Sequence, residues 1–160
     1  MPWLREKVLN PILNQLKQGA TPQKLAWSVS LGAAFALFPI LGSTTFLCGA
    51  VGAALRLNHV AMQTVNYLLY APHLVMIPVF IRIGEKITGA TPIAIDLEIM
   101  TRQFTESPSQ FLQDFGMAGV HGIIAWALIL PIPTWVATQI LARSFSRLAA
   151  HPPQSGANKV

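Results

Sequence analysis

The side chains able to do chemistry are few. His59, His73 and His121 lie inside long stretches free of Asp, Glu, Lys and Arg, and ionisable groups in such surroundings invite a proton relay or a metal site. A metal needs several converging ligands, yet none of these histidines has a carboxylate or cysteine at ligand spacing. Cys48 is the single cysteine, so neither an intrachain disulfide nor a thiolate cluster can form. No Ser/His/Asp order and no Gly-rich phosphate loop is present. The acids Glu85, Asp96, Glu98, Glu106 and Asp114 all fall outside the uncharged stretches and read as a solvated face. The expectation is no catalytic residue, no metal, no cofactor and no enzymatic activity. What remains is polar but unreactive: Ser43, Thr44 and Thr45 after Pro39 and Gly42 in "LFPILGSTT", then Asn58, Gln63, Thr64 and Asn66. Such groups can hydrogen-bond one helix to another, or they can bind a headgroup or solute.

The elements that must hold them are apolar. Of 160 residues, 52% are hydrophobic and 11% charged, with a mean hydropathy of +0.49. Residues 25–55, 57–81 and 115–142 contain no charged side chain. About 18 such residues in a row make a transmembrane candidate, so a small polytopic all-α membrane protein is expected, in the inner (plasma) membrane. The first stretch divides at Pro39–Gly42 into limbs of roughly 14–16 residues, short of the about 20 a straight span needs. It therefore reads as a Pro/Gly-broken hairpin that re-enters or spans twice, with the hydroxyls satisfying backbone groups freed at the break. Small residues at Gly32, Ala33, Ala34 and Ala36, and at Gly49, Ala50, Gly52, Ala53 and Ala54, allow the limbs to pack closely.

Organisation follows from these stretches. Residues 1–19 form an amphipathic interfacial helix with Leu4, Val8, Ile12 and Leu16 on one face. The membrane domain is 20–148: hairpin 22–57, span 59–83 interrupted by Pro72 and Pro78, polar helical linker 84–114, and span or hairpin 115–142. A flexible tail covers 149–160. Thr21-Pro22 fits an N-cap with proline at the first helical position, and Thr91-Pro92 can open another helix. Ile93, Leu97, Met100 and Phe104 share a helical face, and Ser107-Pro108 caps a short helix carrying Phe111, Leu112 and Phe115. "ILPIPT" at 129–134 echoes the first break, as the halves of inverted-repeat transporters do.

The net charge is +5. Arg5, Lys7, Lys17 and Lys24 crowd the N-terminal arm against Glu6, the tail holds Arg143, Arg147 and Lys159, and the linker is acidic. By the positive-inside rule both termini are cytoplasmic and the linker lies outside, with Arg82 on the outer flank as its weak point. No basic patch interleaved with aromatics appears, so nucleic acid is not an expected partner.

From Ala20 to Gly89 the chain resembles the bacterial membrane family called domain of unknown function 2062. The likeness rests on Pro22, Gly32, Pro39, Gly42, Thr44, Arg56, Asn58, Asn66, Pro72, Pro78 and Gly84. It departs at Ala71, where family members often carry Asn before the proline. The resemblance implies a small integral membrane protein with no established activity. Some relatives look fused to glycosyltransferases, which hints at lipid-linked sugar.

The functional expectation is a small transporter or lipid-handling protein. Its substrate-binding or structural motif comprises Pro39, Gly42, Ser43, Thr44, Thr45, Arg56, Asn58, Gln63, Asn66, Pro72 and Pro78. The rival is a non-catalytic scaffold that joins a membrane glycosyltransferase or a second copy of itself. Membrane lipid is the expected partner in either case.

Overall fold

The computed structural model describes residues 21–93 and 97–150; the helix expected over 1–19 and the tail beyond 150 lie outside them. Seven helices and no strand occur among the described residues: α1 (Pro22–Ala36), α2 (Thr44–Ala54), α3 (His59–Leu68), α4 (Tyr70–Thr88), α5 (Leu97–Glu106), α6 (Pro108–Ile129) and α7 (Pro131–Ala150). Local chemistry sets several ends. Thr21 Oγ1 accepts the Lys24 N–H at 3.3 Å and Pro22 occupies the first turn, so α1 starts as its sequence predicts. Gly89, with φ of +70°, stops α4 in the left-handed conformation that glycine tolerates.

α1 is the central element. It packs on α3 and α7 and more lightly on α2, while α4 packs on α6. Gly32 lets the backbone of α3 approach, because a β-carbon there would stand 3.0 Å from the Met62 Cα and carbonyl oxygen. Leu25 and Ala26 of α1, Ala61 of α3 and Ala142 and Phe145 of α7 form the apolar core, with Val29 and Leu141 against it. α2 returns beside α1, bringing the buried Cys48 sulfur to 3.9 Å from the Gly32 carbonyl oxygen.

Several boundaries differ from expectation. The second apolar stretch is interrupted once, at Leu69, where α3 and α4 meet at 71°, one turn before Pro72, whose ring crowds the Leu68 carbonyl; α4 runs on through Pro78. α4 continues past residue 83 to Thr88, so the expected linker begins inside a helix. Residues 91–93 are not helical; the Thr91-Pro92 signal starts nothing there. Pro108 opens a 22-residue helix instead of a short one, and Ser107 makes no side-chain cap.

Several polar side chains lie inside and many large apolar ones outside. Ser28, Ser30, Thr44, Asn66, His73, Glu85, His121 and Thr138 are buried, whereas Phe46 is 76% and Ile132 72% exposed, with Leu112, Tyr67 and Val75 also outside. α6 is long and apolar enough to cross a membrane, with only 17% of its most apolar window buried. α3 and α4 pass that measure only as a bent pair. At 1.5 Å per residue α1 and α2, with 15 and 11 residues, are each too short for a bilayer core of about 30 Å.

Candidate functional site

The expected motif residues separate into three places. At the start of α2, Gln63 Nε2 donates to the Thr45 carbonyl oxygen at 3.0 Å, and Asn66 Nδ2 donates to Thr45 Oγ1 and to Gln63 Oε1, each at 3.2 Å. Thr44 is buried beside them in sequence, and Ser43 Oγ donates to the Ile40 carbonyl oxygen at 2.8 Å. These polar groups satisfy one another. They join α2 to α3 and close the turn, which is helix-to-helix hydrogen bonding.

Arg56 and Asn58 sit at the opposite end of α2. The Leu57 N–H donates to the Gly52 carbonyl and the Arg56 N–H to the Ala53 carbonyl. This pair of hydrogen bonds is the Schellman closure, with Arg56 at the position glycine usually takes and a φ of +51°. Two residues on, Asn58 Oδ1 accepts the Ala61 N–H at 2.9 Å and caps α3, while its own N–H donates to Ser28 Oγ at 2.8 Å. The Arg-x-Asn text is thus the end of one helix and the beginning of the next. Asn58 and Asn66 do not converge, and Thr64 is spent on its own helix through the Val60 carbonyl.

Pro39 and Pro78 meet elsewhere. With Leu41, Ile81, Phe115 and Gly119 they line an open groove of about 480 Å³ between the tip of the hairpin, α4 and α6. Its wall is almost wholly apolar. Gly122 lets Pro39 in, because a β-carbon at 122 would stand 3.0 Å from the proline ring. Pro72 is exposed and lies outside the groove. The break itself is held from outside. His73 Nε2 donates to the Phe38 carbonyl oxygen at 2.7 Å, and Trp126 Nε1 donates to the Ala34 carbonyl oxygen at 2.9 Å. The Trp126 indole packs edge-on to Phe38 and tilted to Phe35, at 5.1 and 5.5 Å between centroids.

The acids correct the sequence reading. Glu85 is 1% exposed, not part of a solvated face. Its Oε2 accepts Arg82 Nη1 at 2.8 Å and its Oε1 accepts the Ile93 N–H at 2.9 Å. His121 of α6 is buried and within electrostatic reach of this carboxylate, and its Nδ1 has no hydrogen-bond partner. The neighbour Gly84 makes the arrangement possible, since any β-carbon there would overlap the His121 carbonyl group. The signal in the sequence was the Arg82-x-Gly84-Glu85 spacing, which places cation and acid at i and i+3 of one helix beside a residue without a side chain. Among the described residues no three His, Cys, Asp or Glu side chains converge as metal ligands would.

No curated protein and no solved structure matches the chain. A family model described as an uncharacterised protein conserved in bacteria (DUF2062) matches residues 5–151. That match extends well beyond the Ala20–Gly89 block, taking in α6, α7 and with them the whole groove. The chain belongs to the DUF2062 family.

Proposed function

We propose that this is a multi-pass protein of the bacterial inner membrane that handles lipid, holding a hydrocarbon chain in the groove between the hairpin tip, α4 and α6. One observation carries the reading: many large apolar side chains are exposed, Phe46, Ile132 and Leu112 among them, and the groove beside the break is apolar and open. Water is a poor solvent for such an exterior, and lipid tails are a good one. The hydroxyl and amide cluster at Thr45, Gln63 and Asn66 is internally satisfied, which favours a structural role there and a lipid substrate over a polar solute. The orientation with both termini cytoplasmic rests on the charge bias. Arg82, its weak point, is already engaged by Glu85. The reading assigns no catalytic step.

A lipid carrying a photoreactive group on its acyl chain tests this directly in native membranes. Crosslinks concentrate on Ile81, Phe115 and Ile123 if the groove is occupied. A β-carbon at Gly119 meets nothing within 4 Å, so Gly119→Leu fills the groove without displacing backbone and removes most of that labelling. Labelling spread evenly over the exposed apolar residues, unchanged by Gly119→Leu, overturns the reading.

The scaffold alternative finds support in α2, whose Ala50, Ala53 and Ala54 are exposed beside Phe46. Small exposed residues allow another helix to approach, from a second copy or from a membrane glycosyltransferase.

A further inference from the structure

A cation stands close to the groove along α4. On α4, Ile77, Pro78 and Ile81 line it, and Arg82 stands one helical turn beyond Pro78 on the same face. The Arg82 side chain is 41% exposed, whereas the Glu85 side chain that grips it is 2% exposed. Only one of its five N–H donors is committed to that carboxylate in a described bond. The carboxylate is itself fixed by the Ile93 N–H. A guanidinium held this way keeps its position while much of its side chain stays exposed, and its planar fork of donors suits phosphate. An ordinary lipid-facing arginine would need no buried acid to orient it.

We propose that Arg82 binds the phosphate of an anionic phospholipid whose acyl chain occupies the groove, with Glu85 as the residue that positions the guanidinium. This rests on the lipid reading above and adds the class of headgroup to it. The chemistry is complementary at both ends: an apolar channel for the chain and an oriented cation at its rim. A zwitterionic phospholipid offers the same phosphate but brings its own cation beside it, so it competes less well. The buried carboxylate also limits the site, since it repels any headgroup acid that reaches past the guanidinium.

Native mass spectrometry of the full chain in mixed micelles of phosphatidylglycerol and phosphatidylcholine tests the proposal. Wild type is expected to favour phosphatidylglycerol about fivefold, the effect of one well-placed cation. Arg82→Lys keeps most of that preference. Arg82→Gln brings the two lipids to parity. Because a lone buried carboxylate can unfold the variant, Arg82→Gln/Glu85→Gln, which removes both charges together, is measured beside it and is expected at parity too. Gly119→Leu loses both lipids alike. No preference in wild type, or a preference that survives in the double variant, overturns the headgroup site. If Gly119→Leu still displaces both lipids in that case, the groove reading stands alone. If Gly119→Leu displaces neither, the groove reading fails, and the headgroup site fails with it.

Discussion

Two interruptions carry nearly the same text, and the chain treats them in opposite ways. At "LFPILGS", residues 37–43 leave the helix entirely and α2 folds back beside α1. At "LPIPT" the backbone barely departs. Leu130 keeps helical angles of −76° and −24°, its N–H donates to the Trp126 carbonyl at 3.0 Å, and Thr134 N–H donates back to Leu130 at 3.0 Å. Thr134 Oγ1 adds a second bond to the same carbonyl. Proline is common to both, so proline does not decide. The first break has Gly42 at φ +82° and donors arriving from other helices. The second has neither a glycine nor an outside donor in the described bonds. A proline withdraws one hydrogen bond; reversal takes a left-handed residue together with neighbours that satisfy the exposed carbonyls. The two breaks are therefore not equivalent halves of a structural repeat.

The contrast can be broken most severely through α4 and α6, which supply His73, Trp126 and Gly122 to the first break. Gly84→Ala drives a methyl into the His121 backbone and is expected to cost about 3 kcal/mol or more. Thermal unfolding in detergent measures the loss. Hydrogen exchange should show amides of 37–43 opening while Leu130 and Thr134 stay protected; equal opening at both places refutes the distinction. A smaller effect follows from Gly42→Ala. Its β-carbon meets no neighbour within 4 Å, so only the left-handed backbone resists, at about 1–2 kcal/mol. An unchanged melting temperature would mean that the turn relaxes to another conformation. The smallest change is Pro131→Ala, which returns an N–H to a helix that already continues. It is expected to add between about 0 and 1 kcal/mol, and a marked loss of stability would show that the junction needs its proline.

Legibility in the sequence followed the range of the interaction. Thr21-Pro22 acts within a few residues and read correctly from the local text. The Pro39–Gly42 break was legible too, but of the hydroxyls expected to hold it only Ser43 does so in the described bonds; His73 and Trp126 come from other helices to do the rest. The bend between α3 and α4 was legible in part. Pro72 cannot donate to the Leu68 carbonyl and its ring crowds that group, so α3 ends at Leu68; the 71° angle also reflects the packing of α3 on α1 and α2 and of α4 on α6. Pro78 misled, since α4 runs through it. Glu85 was misread for a related cause. Its burial depends on Gly84 meeting the His121 backbone, a contact between helices far apart in the chain. Asn58 and Asn66 read as open to either helix bonding or a solute, and contacts decide between these: one is consumed in capping and the other in a contact with Thr45.

The sealed thiol of Cys48 has a practical corollary. The chain has no other cysteine, and this one is 0% exposed. Folded wild type is consequently a nearly silent background for maleimide or nitroxide attachment. Probes introduced at Leu41 and Ile132, which are 60% and 72% exposed, would report separately on the two interruptions, with no need to delete a native reactive group first.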